Sequence, residues 1–138
     1  MITVDYLYDF QYRPSSGNRL PLIQVQLQTG HVGGAGIDVD AVLDTGAGLS
    51  LFDGRFATAI GLDLLAGARK IYQPTSGPGL EGYLHRVRLS HEDLGNFDME
   101  IGFSNGPINR NLLGRDFFDR IQVGFREHHA SFFVTPQP

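Results

Sequence analysis

An aspartate closes the apolar run Ala41-Val42-Leu43, and Thr45, Gly46, Ala47 and Gly48 follow it at once. A carboxylate at the end of a buried strand is costly to keep unless it is paired or used. Val42 and Leu43 read as strand interior, and Gly46 and Gly48 as a tight turn in which backbone comes close to a ligand. The run therefore demands a fold that delivers a strand end to the rim of a core. Asp44 is held there rigidly, with Thr45 and Ala47 too small to screen it. The same residues also suit an ordinary turn, because Asp often bonds its own backbone two residues on. The tetrapeptide alone leaves both readings open.

Glycine and proline set the class of fold. There are 18 and 7 of them in 138 residues, which favours a turn-rich β protein over a helical one. The length suits one domain covering residues 1–138, and the apolar share of 41% is enough for a core. A net charge of −4, with Arg110, Arg115, Arg120 and Arg126 spread over different elements, gives no basic stripe and no nucleic-acid partner. The absence of cysteine excludes disulfides, thiolate catalysis and thiolate metal sites. Met1-Ile2-Thr3-Val4-Asp5-Tyr6 has no basic leader, and no run approaches the roughly 18 apolar residues of a membrane span. A cytoplasmic protein without a membrane partner is the expectation.

Alternation of apolar and polar residues predicts strands at residues 2–10, 22–29 and 37–43, the last delivering Asp44. Arg13 to Asn18 is turn chemistry. The glycine-rich stretch 30–36 lacks the Lys-Ser/Thr of a phosphate loop and precedes a strand, so it reads as a hairpin connection. Residues 53–60 predict a short helix with Asp53 as N-cap, Gly61 as the stop, and Phe56, Ala59 and Ile60 on the inner face. Strand-like runs at 70–73 and 83–89 flank Gln73-Pro74-Thr75-Ser76-Gly77-Pro78-Gly79, which reads as the flexible tip of a hairpin. Further strands are expected at 94–103 and 108–113, a helical turn at 115–120, and a closing hairpin at 121–125 and 131–135.

The segment Asn111-Leu112-Leu113-Gly114-Arg115-Asp116-Phe117-Phe118 joins this pattern to chemistry. An apolar strand, Gly-Arg-Asp and a short helix resemble the second signature of the retropepsin-like aspartic proteases. Asp44-Thr45-Gly46-Ala47 at the end of an apolar strand resembles their first. The resemblance spans roughly residues 20 to 135, and its order and apolar flanks match. It implies an all-β, closed-barrel acid protease fold with one or two short helices and a flap hairpin.

The resemblance implies peptide hydrolysis without a metal or any other cofactor. Two carboxylates a few Å apart share one proton, so the ionised one takes a proton from water while the other donates to the substrate carbonyl. This chain carries a single Asp-Thr-Gly, so Asp44 must meet Asp44 of a second copy across a two-fold axis. By the same resemblance Thr45 bonds across that axis, Gly46 contacts substrate backbone, and Ala47 allows close approach. Gly114 gives close packing, Arg115 braces the active-site loop, and Asp116 is structural rather than catalytic. Residues 75–79, Thr75 to Gly79, form the flap that pairs with an extended peptide.

One position departs from the retroviral pattern, which places an acidic residue after Asp-Thr-Gly-Ala. Here it is Gly48, so Arg115 needs another partner, with Asp116 or Asp53 as candidates in the same or the facing subunit. That departure keeps a second reading open: the same fold as a non-proteolytic peptide-binding or dimerisation module. A small-ligand barrel requires both motifs to be coincidence. Adjacent His128 and His129 do not chelate one metal from a strand, and His91-Glu92-Asp93 lacks a second zinc-binding histidine.

Overall fold

The computed structural model describes residues 1–30, 36–74 and 77–137. Its strands are short where the chain turns often and long where two faces alternate. Strand β1 is Tyr8–Gln11, and β2 (Arg13–Ser15) and β3 (Asn18–Leu20) form a small hairpin. Ser16 and Gly17 at its turn have φ of 50° and 85°, the doubly left-handed turn whose twist matches a two-residue hairpin. In β4, Leu22–Gln28, the residues Ile23, Val25 and Leu27 are buried while Gln24 and Gln26 face out, as alternation requires. It pairs antiparallel with β5, Ile37–Leu43, from Leu22↔Val42 to Leu27↔Ile37. Part of the connection between them, residues 31–35, lies outside the described residues.

Beyond β5 come β6 (Leu51–Asp53) and helix α1 (Gly54–Ala59). Asp53 caps α1 through its side chain, which accepts from Arg55 N at 3.0 Å, and Gly61 stops the helix region with φ of 89°. Its inner face is Ala57 and Ile60, with Phe56 half-buried; Ala59 is exposed, contrary to the sequence pattern. The cause lies at Gly54, where an added Cβ would strike the Ser104 carbonyl oxygen, so the first turn presses backbone to backbone and sets the helix phase.

Strands β7 (Ala68–Tyr72), β8 (Leu80–His91) and β9 (Gly95–Ser104) form an antiparallel meander. Asn111–Leu113 is β10, Arg115–Phe118 is α2, and β11 (Ile121–Arg126) and β12 (Ser131–Pro136) close the chain. Ala130, at φ 48°, turns β11 into β12 after a 3-10 turn at Glu127–His129.

The order β4-β5-β10-β6-β9-β8 closes on itself where β8 meets β4 at Gln26↔Ser90, Leu27↔Leu89 and Gln28↔Arg88. A six-stranded barrel results, with β7 added at β8 and a separate sheet β1-β12-β11 against it. Phe52, Phe103, Ile101, Leu27, Leu89 and Leu113 fill it at under 2% exposure. Phe117 and Phe132 carry the same core toward the outer sheet. The strand expected at residues 2–10 is shorter than its pattern: only Tyr8–Gln11 pairs, and Ile2 and Val4 are exposed. Alternation without a partner strand does not hold extended backbone.

Candidate active site

Two loops make the site, and the barrel brings them together because β10 runs parallel to β5. Ala41, Val42 and Leu43 pair with Asn111, Leu112 and Leu113. The pairing extends one residue further, with Asp44 N donating to the Leu113 carbonyl at 2.9 Å. Both strands thus end at one level, one in Asp44-Thr45-Gly46-Ala47 and the other in Gly114-Arg115-Asp116.

Asp44 is half-buried and Thr45 is exposed. The Gly46 amide donates to Asp44 Oδ1 at 2.9 Å, and the Ala47 amide to the Asp44 carbonyl at 3.2 Å. The ordinary turn reading is therefore realised, and it does not compete with a chemical one. One carboxylate oxygen is fixed by the turn, while Oδ2 accepts no protein hydrogen bond among the described residues. Gly46 and Gly48 do not use left-handed backbone. A side chain at Gly48 would meet nothing within 4 Å, so that position is open space.

The second loop clamps the first. Arg115 N donates to the Ala47 carbonyl at 2.8 Å and Asp116 N to the Gly48 carbonyl at 3.3 Å. An added Cβ on Gly114 would lie 2.6 Å from the Ala47 carbonyl oxygen, so only glycine permits this approach. Asp116 accepts from Ser50 twice, from the amide at 3.0 Å and from the hydroxyl at 2.6 Å, and from Phe117 N at 2.9 Å. Ser50, 1% exposed, also accepts from Gly114 N at 3.0 Å. Phe117 anchors α2 in the core, edge-on to Phe97 at 5.1 Å. Arg115 is exposed and forms no ion pair among the described residues. Asp116 is taken by Ser50, and Asp53 by the α1 cap and by Arg55 at 3.8 Å, so within one chain neither candidate serves Arg115.

Ser50 and Asn111 are the residues that pattern reading passed over. Asn111 is buried, accepts from Asp53 N at 2.8 Å and donates to the Asp40 carbonyl at 3.0 Å, tying β10 to both neighbours. Ser50 is a small polar residue between Leu49 and Leu51, a signal that a buried partner must exist, whereas Asn111 follows Asn109 and Arg110 and carries no such signal.

Of the flap candidates, Thr75 and Ser76 lie outside the described residues. Gly77, Pro78 and Gly79 are exposed, and Gly77 has φ of 95°. They join β7 to β8, whose last pair is Tyr72↔Leu80. Tyr72 hydroxyl is buried without a hydrogen-bond partner and packs into the space left by Gly102, which lacks a side chain. Burial, and then the negative charge of Asp116, push that phenol up to about 12.

Cavities lie on both sides of the Asp44 turn, and Thr45 lines both. One, about 580 Å³, includes Gly48, Leu49, Arg115 and Phe118; the other, about 280 Å³, includes Val42 and Asp44. Among the described residues no group of three or more His, Cys, Asp or Glu is placed to hold a metal. No helix among them is long and apolar enough to cross a membrane.

Comparison with known proteins agrees with this geometry. The chain resembles a retropepsin-like aspartic protease from Rickettsia conorii, at 16% identity over 96% of both chains with a TM-score of 0.64. It also resembles the EIAV protease solved with the inhibitor HBY-793, at 18% identity over 78% of this chain and 92% of that one, with a TM-score of 0.51. No curated protein sequence matches it. A sequence-family model described as "Aspartyl protease" matches residues 29–117, well over half of the chain and both loops up to Phe117. The chain belongs to the aspartyl protease family, with the retropepsin-like fold.

Proposed function

We propose that residues 1–138 form one endopeptidase domain that works as a homodimer, with Asp44 of each copy on either side of a water. One Asp44 is ionised and takes a proton from the water; the other is protonated and donates to the carbonyl of an extended peptide. Hydroxide adds to the carbonyl carbon, and the amine leaves with a proton. The observation that carries this reading is the Asp44 turn itself: an accessible carboxylate, one oxygen held by Gly46, on a loop clamped by Gly114, Arg115 and Asp116. One such turn per chain makes the second copy necessary. Thr45, Gly46 and Ala47 serve as active-site loop, and the β7–β8 hairpin with Gly77, Pro78 and Gly79 as flap.

Gly48 supports a second reading. Without an acidic side chain there, Arg115 has no ion-pair partner among the described residues, as a more weakly braced peptide-binding module would have. Digestion of an unbiased peptide library from about pH 3 to 8, by wild type and by Asp44→Asn, separates the two. Cleavage lost in the variant supports the dyad. No cleavage by either, with both dimeric in light scattering, supports the binding module.

A further inference from the structure

The cavity of about 280 Å³ beside Asp44 is walled by Tyr12, Pro21, Val42 and Phe125, and a second carboxylate, Glu127, shares its lining with Asp44. Among the described residues no basic side chain lines it. Tyr12 lies between β1 and β2, Phe125 in β11 and Glu127 in the 3-10 turn that follows, so the segments packed beside the barrel supply a wall that the barrel lacks. Phe125 is 37% exposed and Glu127 is exposed, while Tyr12 is 5% exposed. Glu127 stands against Tyr12: burial first, then this carboxylate, holds the Tyr12 phenol above its ordinary range.

From this we infer that the cavity is a side-chain subsite that selects lysine or arginine next to the scissile bond, an inference resting on the endopeptidase reading. A long cationic side chain lays its aliphatic stem on Val42, Pro21 and Phe125 and carries its charge to Glu127. The aromatic rings of Tyr12 and Phe125 add cation–π attraction to such a head group. An apolar side chain of equal length fills the same wall but offers the exposed Glu127 carboxylate no charge to pair with. An acidic side chain meets two carboxylates and is repelled. The chain's net charge of −4 acts in the same direction.

The test uses the full chain carrying Asp44→Asn, which holds peptides without cutting them, and two otherwise identical extended peptides with a central lysine or norleucine. Binding by fluorescence anisotropy is expected to favour lysine about tenfold, and the gap to close when Glu127→Gln is added. In the chain with Asp44 intact, Glu127→Gln lowers the ratio of library cuts beside lysine and arginine to cuts elsewhere. Equal affinities, a gap that survives Glu127→Gln, or no binding of either peptide overturns the inference. So does a Glu127→Gln chain whose dimer dissociation changes while peptide selectivity does not, since the cavity then belongs to subunit contact. If the wild type cuts nothing while the lysine gap appears and closes, the subsite stands and the endopeptidase reading falls.

Discussion

The Ser50 hydroxyl donates to the Asp116 carboxylate at 2.6 Å and, together with the Ser50 amide at 3.0 Å, fastens the strand leaving one loop to the helix leaving the other. Asp116→Ala leaves the Ser50 amide and hydroxyl without their acceptor in a site where Ser50 is 1% exposed. A buried donor stripped of its partner costs about 1–3 kcal/mol, so a loss of at least about 2 kcal/mol is expected. Asp116→Asn keeps one acceptor oxygen and loses less. Urea unfolding reads both; an Asp116→Ala chain as stable as wild type would refute the bracing role.

Gly114→Ala tests the clamp at its tightest point. The new Cβ would lie 2.6 Å from the Ala47 carbonyl oxygen and 3.1 Å from backbone carbon atoms of Ala47 and Leu49. Backbone on both sides leaves nothing flexible to yield, so the Asp44 turn must move away from Gly114. Displacement of a reacting group by about 1 Å costs on the order of 100-fold in rate. Peptide cleavage should fall by about that factor, with the far-ultraviolet circular dichroism of the barrel kept. Undiminished turnover would mean the turn tolerates the shift.

Tyr72, at the end of β7, bears on stability at high pH. Its hydroxyl is buried without a hydrogen-bond partner among the described residues, and burial first, then the charge of Asp116, raises the folded pKa from the ordinary phenol value to about 12. The folded state then keeps the proton that the unfolded chain gives up. Stability is intact below about pH 10, falls as pH rises through that window, and has lost this contribution above the folded value. Tyr72→Phe removes both the orphaned hydroxyl and the titration. It is expected to melt at or above the wild-type temperature near neutrality, and to show less loss between about pH 10 and 12. Identical alkaline profiles would assign the loss to other groups.

Gly48→Asp asks whether Arg115 lacks only a partner. A side chain at Gly48 meets nothing within 4 Å, and Arg115 lines the same cavity. The new carboxylate should pair with Arg115 at little cost in stability, with about 0.2–1 kcal/mol gained if the pair stays exposed. The larger expected effect is on the enzyme: tighter peptide binding, read as a lower KM. A raised KM would show that this site works with an open position at 48.

How far the sequence reveals this molecule depends on what each residue answers to. β4 was legible because one of its faces is core, so Ile23, Val25 and Leu27 alternate with glutamines. Asp53 as N-cap was legible because capping is local. Ile2 and Val4 alternate just as well but pair with nothing, since pairing depends on a strand far along the chain. The phase of α1 departs from the sequence pattern at Ala59 because Gly54 packs against Ser104, some 50 residues away. The Asp44 turn is legible because it is local, whereas Ser50 is defined by Asp116, and only the parallel β5–β10 pairing puts the two within reach.

The proposed homodimer makes a prediction that needs no structure of the complex. If each active centre takes one Asp44 from each chain, a heterodimer of wild type with Asp44→Asn has one ionisable carboxylate and lacks the acid–base pair. Equal amounts mixed and allowed to exchange give wild-type homodimers as about a quarter of all dimers. Because the total has doubled, activity should settle at about half that of the wild type alone. Rapid dilution should lower specific activity as dimers dissociate. Activity that stays at its starting value, under conditions where labelled chains demonstrably exchange, would place the whole reaction in one chain and remove the need for the second Asp44.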